Sequence, residues 1–440
     1  MSIVAHAHPE KRLFISLLTR DISLADAFLD LLDNSINAAI RSIGLNTGSS
    51  EDYLKLLDEN VAPKHNIRIN FDANKVEIND DCGGISAADA QNNVFVFGAS
   101  DGSHLQDKLS VYGIGLKRAM FKLGNKITMR SDHALGGFDL NLDVDEWRRK
   151  QQASWSFEIS QRPPSARAGT SLKVTELYEG VRARLADPTF ATELRVRISR
   201  AYSFFIAKVI NIDLNGLVVE ADVAKIGSNK ASESFEEDGV SVSVSAGLGL
   251  PDNGGRYAAE RAGWNVYCNG RSVISFDRSP LTGWGLQGGL PSFQPKHRPF
   301  VGSVFFTSSD PEKLPWTTTK LGVNTDNIVW QKAVRRMVDI GRQVTRFLDS
   351  RYDDKGTSIT LEELSDAIGT LDVVKPTAKS AASTFLAPKK VTSSVTSIQY
   401  KVEKKVLERV KIAIGDRSMS NSDVGAYTFK YFINSELDDA

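Results

Sequence analysis

The chain has 440 residues, 41% hydrophobic and 25% charged, which is the composition of a globular protein of two or three domains. Lysine plus arginine and aspartate plus glutamate each number 54, so no net charge draws the whole protein to nucleic acid or to a membrane surface. No run approaches the roughly 18 apolar residues of a membrane span, and two cysteines without metal-ligand spacing argue against a disulfide framework. We therefore expect a cytoplasmic protein, or a nuclear one in a eukaryote, with no membrane segment.

Residues 24–40 predict a helix with an apolar stripe, which begins at Ser23 as a capping residue. On its other side Asp30, Asn34 and Asn37 follow one another at i, i+4 and i+7 and therefore share a face. Such a face is either solvated or part of a ligand site. Three later stretches favour the ligand site.

The next stretch ends a predicted β-hairpin in acids and glycines. Residues 66–80 alternate like two strands joined by a turn, and Asp80 is their last residue. Gly84 follows within the same short turn. Residues 86–109 are long and contain glycines, and they predict a mobile flap.

Gly113 and Gly115 then form a turn that opens a helix with Lys117 in its first turn. A further strand begins at Gly169-Thr170. Helices and consecutive strands predict an α+β two-layer sandwich over residues 1–184. The four strand candidates after the glycine turn are residues 125–131, 137–144, 154–160 and 170–177.

The second half of the chain predicts another α+β domain at residues 185–352. It begins with a helix, continues with a hairpin that turns at Asn215-Gly216, and ends with a long amphipathic helix. Residues 353–397 predict a short helix and a linker rich in Lys, Ser, Thr, Ala and Pro. Residues 398–440 predict a C-terminal helical segment, whose narrow apolar stripe at residues 398–414 would pack on the body or on another subunit.

The polar helix face, Asp80, the glycine turn and Gly169-Thr170, in this order, resemble the motifs of the Bergerat-fold (GHKL) ATPases. That family includes gyrase, the MutL repair proteins, the large heat-shock chaperone, histidine kinases and the microrchidia (MORC) proteins. YGIGLKRAMFKLG (112–124) is similar to the microrchidia turn, the strand at Thr170 resembles MutL, and LPWTTTKLGVN (314–324) resembles the transducer loop of gyrase. The resemblance covers residues 10–350 and implies a Bergerat two-layer sandwich followed by a transducer-type α+β domain. The helical C-terminal tail lies beyond it and is predicted from the residue pattern alone.

The resemblance implies ATP and Mg²⁺ as ligands of the first domain. Asp80 would accept the exocyclic amine of adenine, assisted by Thr170, and Asn34 would offer its side-chain oxygen to Mg²⁺. Lys117 would offset phosphate charge, and Asn37 occupies a position where the family commonly has an acid. The glycines that bring backbone amides to the nucleotide are Gly84, Gly113 and Gly115.

The implied catalytic residues are Asp30, which orients and deprotonates the attacking water, and Lys320, which reaches the γ-phosphate. Besides Asn37, three features depart from the family pattern. Asp30 replaces a glutamate and is one methylene shorter, about 1.5 Å of reach, while Cys82 and Ser110 replace glycines. We therefore expect ATP binding with slow hydrolysis. Cys82 itself fits either a redox-sensitive thiol or a buried small apolar residue.

Two functions fit these motifs. The first is an ATP-driven clamp that forms a homodimer and acts on DNA or a DNA-associated complex, and the lysine-rich C-terminal arm favours it. The second is a chaperone-like or scaffold ATPase that acts on a protein partner, with residues 398–414 as its docking surface. A solvated charged helix explains the same lysines. A histidine kinase is disfavoured because few residues precede the first motif for a phosphoacceptor helix pair, and no P-loop motif is present.

Overall fold

A computed structural model describes most of the chain, in two compact units that span Met1–Pro388 and Lys389–Ala440. Residues 98–108 of the predicted flap, Ser110 and most of the predicted linker lie outside the described residues. The described stretches are residues 10–44, 64–97, 109, 113–150, 155–206, 208–251, 256–351, 367–376, 382–387 and 398–437.

A mixed sheet of eight described strands forms the first layer of the larger unit. Its strands are β1 (His65–Phe71), β2 (Lys75–Asp80), β3 (Gly124–Asp132), β4 (Phe138–Asp143), β5 (Ile159–Gln161), β6 (Gly169–Leu177), β7 (Ile210–Leu214) and β8 (Leu217–Val218). They lie in the order β5-β4-β3-β6-β2-β1-β7-β8. Neighbours are antiparallel except β1 and β7, which are parallel.

Helices accompany this sheet, and the apolar core includes residues of both. They are α1 (Lys11–Arg20), α2 (Leu24–Ser42), α3 (Ala87–Asp89), α4 (Gly115–Leu123), α5 (Val144–Arg149), α6 (Glu179–Ala186) and α7 (Pro188–Ala201). The predicted capping box starts α2, because Ser23 Oγ accepts the Asp26 N–H at 3.2 Å and Asp26 Oδ2 accepts the Ser23 N–H at 2.8 Å. Phe28, Leu32 and Ile36 of α2 are fully buried. The helix packs against α4, which brings its polar face to the glycine turn.

The first sheet and its core extend past residue 184, where the sequence predicts a domain boundary. Phe190 and Leu194 of α7 belong to this core, as do Ile210 and Ile212 of β7. The reason is the parallel pairing of β1 with β7, which joins strands far apart in sequence and leaves no local pattern. Residues to Val219 therefore pack with the first layer.

A second mixed sheet follows, with strands in the order β10-β11-β14-β12-β13. These are β10 (Lys230–Glu237), β11 (Val240–Leu248), β12 (Gly263–Cys268), β13 (Arg271–Asp277) and β14 (Phe300–Thr307), and a separate pair joins β9 (Lys225–Gly227) to β15 (Leu371–Val373). The long predicted helix is α8 (Ile328–Arg351), which packs on β10, β11 and β14. Its buried face includes Met337 and Val344.

The smaller unit contains two described helices, α9 (Lys404–Ile414) and α10 (Asn421–Glu436). The sequence predicts a helix from residue 398, but α9 begins only after Glu403, whose extended backbone precedes the first turn. Gly415, in the left-handed conformation with φ of 89°, ends it. None of the described helices is both long enough and apolar enough for a membrane crossing.

Candidate functional site

Asp80 is the last residue of β2, and three donors from different elements hold its carboxylate. Ser35 of α2 donates its hydroxyl to Oδ2 at 2.6 Å. The backbone N–H groups of Cys82 and Thr170 donate to Oδ1 at 3.0 and 3.3 Å. Burial raises the pKa of Asp80 against the opposing effect of these hydrogen bonds. The carboxylate is therefore fixed in orientation and keeps lone pairs for a further donor.

Thr170 reaches Asp80 through its backbone, because the antiparallel register of β2 and β6 pairs these two residues directly. The hydroxyl of Thr170 lies 3.2 Å from Ser131 Oγ instead. Ser35 is a site residue that the sequence prediction missed. In the sequence, Ser35 could have been recognised as a hydroxyl residue within the apolar stripe of α2. In the structure it is 7% exposed.

The glycines beside Asp80 are required by the backbone. Gly84 has a positive φ of 67°, and a Cβ added there would lie 2.0 Å from the carbonyl oxygen of Asp132. A Cβ added at Gly169 would lie 2.3 Å from the carbonyl oxygen of Asp80. These glycines let two chain segments approach the end of β2 more closely than any other residue type permits.

Asp30 lies on the buried polar face of α2, against the glycine turn. A Cβ added at Gly115 would be 3.6 Å from the Asp30 carboxyl group, and Gly113, with φ of 59°, sets the preceding turn. Arg118 Nε donates to Asp30 Oδ2 at 2.8 Å, and Nη2 donates to both carboxylate oxygens, at 2.9 and 2.6 Å. Their side chains are 6% and 2% exposed, so this face is not solvated. The sequence prediction missed Arg118, although it directly follows Lys117, which was predicted as a site residue.

Lys320 crosses from the second sheet's side to α2, and its partner there is Asp33. Its Nζ donates to Asp33 Oδ2 at 2.6 Å. Oδ1 of the same carboxylate accepts the Tyr202 hydroxyl at 2.7 Å and lies 3.0 Å from Arg271 Nε. Arg271 Nη1 donates to the carbonyl oxygen of Lys320 at 2.9 Å, which fixes the lysine backbone at a positive φ of 56°.

The buried charges around α2 do not balance. Within the described part of the chain, the cations Arg118, Arg271 and Lys320 face two carboxylates, Asp30 and Asp33, which leaves one positive charge in excess. All five side chains are less than a tenth exposed. Because an uncompensated buried charge is costly, this cluster favours the approach of an anion.

Lys117 does not lie in this charge cluster. Its Nζ donates to the carbonyl oxygens of Val94 and Val96 at 2.8 and 2.6 Å. Burial lowers the pKa of Lys117 to about 8. In this conformation the ammonium group therefore holds the segment that follows α3.

The two amides of the polar face differ in exposure. Asn34 is partly exposed, and its Nδ2 donates to the Asp30 carbonyl oxygen at 2.9 Å, so its Oδ1 is the atom left for a hard cation. Asn37 is 3% exposed, and its Oδ1 accepts the Leu109 N–H at 3.1 Å. Its Nδ2 has no hydrogen-bond partner among the described residues. A buried amide donor without a partner suits a ligand acceptor.

Cys82 is 1% exposed and packs in the first core. Burial raises the pKa of its thiol above the ordinary range, which favours the buried apolar interpretation over a reactive thiolate. Cys82, His65 and Asp81 have potential metal-ligand atoms within 4.8 Å of one another. Asn66 already donates to both oxygens of Asp81, at 2.7 and 2.8 Å, and this engagement of the carboxylate disfavours a metal site there.

Two surface cavities of about 580 and 530 Å³ lie beside the start of α2, and Leu24 and Arg184 line both. None of the nucleotide-site residues predicted from the sequence lines either cavity. The site around Asp80 and Asp30 is thus separate from both.

Residues 22–170 match the family model described as histidine kinase-, DNA gyrase B-, and HSP90-like ATPase. The matched range includes α2, the end of β2, the glycine turn and Thr170, whereas Lys320 lies beyond it. No curated protein matches the chain.

Proposed function

Residues 22–170 are a domain of the GHKL ATPase family, and we propose that this chain binds ATP with Mg²⁺ between α2, the end of β2 and α4 and hydrolyses it slowly. The observation that carries the proposal is one oriented carboxylate, Asp80, beside a buried cluster with one cation in excess. The carboxylate suits the amine of adenine, and the cluster suits a phosphate group.

Adenine recognition rests on the acceptor character of Asp80. An ionised carboxylate only accepts hydrogen bonds, and the exocyclic amine of adenine only donates them. Ser35 and the N–H groups of Cys82 and Thr170 orient this carboxylate. The adenine amine can therefore form a charge-assisted hydrogen bond to Asp80 without moving its side chain.

The phosphate end has donors for both the anion and its metal ion. Three kinds of donor suit phosphate oxygens: the excess cation, the amides of the glycine turn, and Asn37 Nδ2, which has no partner in the described part of the chain. The side-chain oxygen of Asn34 suits Mg²⁺, a hard cation that takes oxygen ligands and would neutralise part of the triphosphate charge. Asp30 then serves as the acceptor for a proton of the attacking water.

Lys320 supports a nucleotide-driven switch. A γ-phosphate would compete with Asp33 for the Lys320 ammonium group, and ADP lacks that phosphate. ATP therefore has a contact with the second, transducer-type domain that ADP cannot make, which is the requirement for a ligand-driven change of conformation. We propose that the closed state is a homodimeric clamp on DNA or a DNA-associated complex, by resemblance to microrchidia, MutL and gyrase.

A protein client is the second candidate, and the smaller unit favours it. Val406, Ile412, Tyr427 and Phe432 of α9 and α10 are 46–55% exposed, which is a large apolar fraction for a surface in water. Binding of the full chain to duplex DNA over a range of salt concentrations distinguishes the two clients. Affinity that falls steeply with salt supports the DNA clamp, and the absence of DNA binding supports the protein client.

Asp80→Asn tests the proposed ATP site directly. The amide loses the charge and turns a donor toward the adenine amine, so calorimetry should give a dissociation constant for ATP that is roughly 10- to 100-fold weaker. Asp81→Asn is the matched control, because that carboxylate is bonded to Asn66. Equal ATP affinity in Asp80→Asn and the unaltered protein would overturn the proposal.

A further inference from the structure

Arg118 is the closest charged neighbour of the proposed hydrolytic residue. Its guanidinium makes three hydrogen bonds of 2.6–2.9 Å to the two oxygens of Asp30. The contact joins α4 to α2 and is almost completely buried. It lies where Gly115 packs against the same carboxyl group, so it belongs to the glycine-turn side of the site.

The fork geometry of this contact limits how Asp30 can move. A planar guanidinium that binds both oxygens fixes the plane of the carboxylate, which a single ammonium contact does not do. A carboxylate offers about four lone-pair sites, and the fork leaves some of them open for a water proton. The short side chain of Asp30 is therefore held in one orientation and keeps lone pairs for a further donor.

The other charged groups around Asp30 do not supply this restraint. Lys320 and Arg271 contact Asp33, not Asp30, and Asp33 itself is a like charge on the same helix. Among the described residues, Arg118 is thus the one cation bonded to both Asp30 oxygens.

We propose that Arg118 is a positioning residue for hydrolysis, which holds the short carboxylate of Asp30 in the orientation that takes a proton from the attacking water. This inference rests on the proposed ATPase function. In the step it serves, the water oxygen bonds to the γ-phosphorus and the bond to the bridging oxygen breaks. ADP leaves with that electron pair, and the water proton passes to Asp30 and then to the released phosphate or solvent.

Arg118→Met and Arg118→Lys test the inference by steady-state phosphate release. Arg118→Met should lower kcat by about 100-fold while KM and the dissociation constant for ATP change by less than about threefold. Arg118→Lys keeps the charge but lacks the fork, so it should recover part of the activity, to within about tenfold of the unaltered kcat. Lys122→Met, on the same helix, is the matched control, because its ammonium donates to the Thr19 carbonyl oxygen, away from Asp30.

A double variant separates positioning from a structural role. In an Asp30→Asn background, Arg118→Met should have no further effect on kcat, because the carboxylate that it positions is gone. If Arg118→Met does not fold, the partial activity of Arg118→Lys carries the test alone.

Several results would overturn the inference. These are an unaltered kcat in Arg118→Met, a loss confined to KM, full activity in Arg118→Lys, or a protein that binds ATP without turnover. Absence of Asp80-dependent ATP binding would instead remove the proposed function itself, and the inference with it. ATP binding with turnover that is indifferent to Arg118 removes only the inference.

Discussion

The two ends of the proposed ATP site are built in opposite ways. At the adenine end one carboxylate, Asp80, is held by a hydroxyl and two backbone N–H groups. At the phosphate end the charged side chains already contact one another: Asp30 pairs with Arg118, and Asp33 pairs with Lys320 and Arg271. The adenine end is therefore ready for its ligand, whereas at the phosphate end Lys320 must exchange Asp33 for the γ-phosphate while Arg118 keeps its contact with Asp30.

Because of this difference, we expect one end to determine nucleotide affinity and the other to determine ATP selectivity and turnover. A preorganised acceptor loses little free energy on binding, so Asp80 should dominate the affinity for any adenine nucleotide. A γ-phosphate can compete with Asp33 for Lys320, so Lys320 should distinguish ATP from ADP. Asp30, which Arg118 holds, should control turnover. Changes at one end should leave the property of the other end intact.

The largest expected effect is on turnover. Asp30→Asn should lower kcat by 100- to 10,000-fold, roughly the range of general-base contributions, with ATP affinity nearly unchanged. Asparagine is preferred to alanine, because removing the side chain would leave Arg118 buried and unpaired at a cost of about 3–5 kcal/mol. Phosphate release and calorimetry measure the two properties. Normal turnover would mean that another residue orients the water, and faster turnover in Asp30→Glu would mean that the shorter acid keeps the enzyme slow.

A substitution at Gly84 tests the backbone of the adenine end. Gly84→Ala places a Cβ 2.0 Å from the Asp132 carbonyl oxygen at a positive φ, so urea unfolding should give a loss of about 2–3 kcal/mol. Gly83→Ala is the matched control, because its φ is also positive but nothing lies within 4 Å of its Cβ. It should lose about 1 kcal/mol. Equal losses would show that the close approach, as distinct from φ, has no effect.

Lys320→Ala should remove the distinction between nucleotides. Loss of one contact to the γ-phosphate should reduce the preference for a non-hydrolysable ATP analogue over ADP by about tenfold. In solution scattering, the analogue but not ADP should shift the unaltered protein toward compact dimers, and the variant should not shift. Lys313→Ala is the control, since that lysine pairs with Asp238 at an exposed position. Superimposable scattering profiles with analogue, ADP and no nucleotide would contradict the clamp.

The sequence predicts the shared face of Asp30, Asn34 and Asn37 because helical spacing alone places them together. It does not predict that Asp33 pairs with Arg271 and Lys320. These two cations arrive from β13 and from a loop almost 300 residues away. Long-range ion pairs leave no periodic pattern, and for the same reason the Arg118 fork was not predicted.

Strand positions are predicted more closely than their connections. The candidate at residues 125–131 is confirmed as β3 and that at 170–177 as β6, because each alternates apolar and polar residues. The candidate at 154–160 is strand only at Ile159–Gln161 among the described residues. The membership of β7 in the first sheet depends on a parallel partner across 140 residues of chain, and such pairing is a property of the whole fold.

The smallest expected effect concerns the segment that follows α3, which Lys117 holds through the carbonyl oxygens of Val94 and Val96. Burial lowers the pKa of Lys117 from 10.5 to about 8, so between these values the unfolded chain binds a proton that the folded protein does not. The free energy of unfolding should therefore rise with pH across this window, by roughly 1 kcal/mol per pH unit. Urea unfolding at pH 7.5, 8.5 and 9.5 roughly spans the expected rise. Lys117→Met removes the titrating group, so the difference between the two proteins gives the contribution of Lys117 alone. Stability curves that stay parallel would show that the ammonium remains charged and that its hold on the segment does not depend on pH.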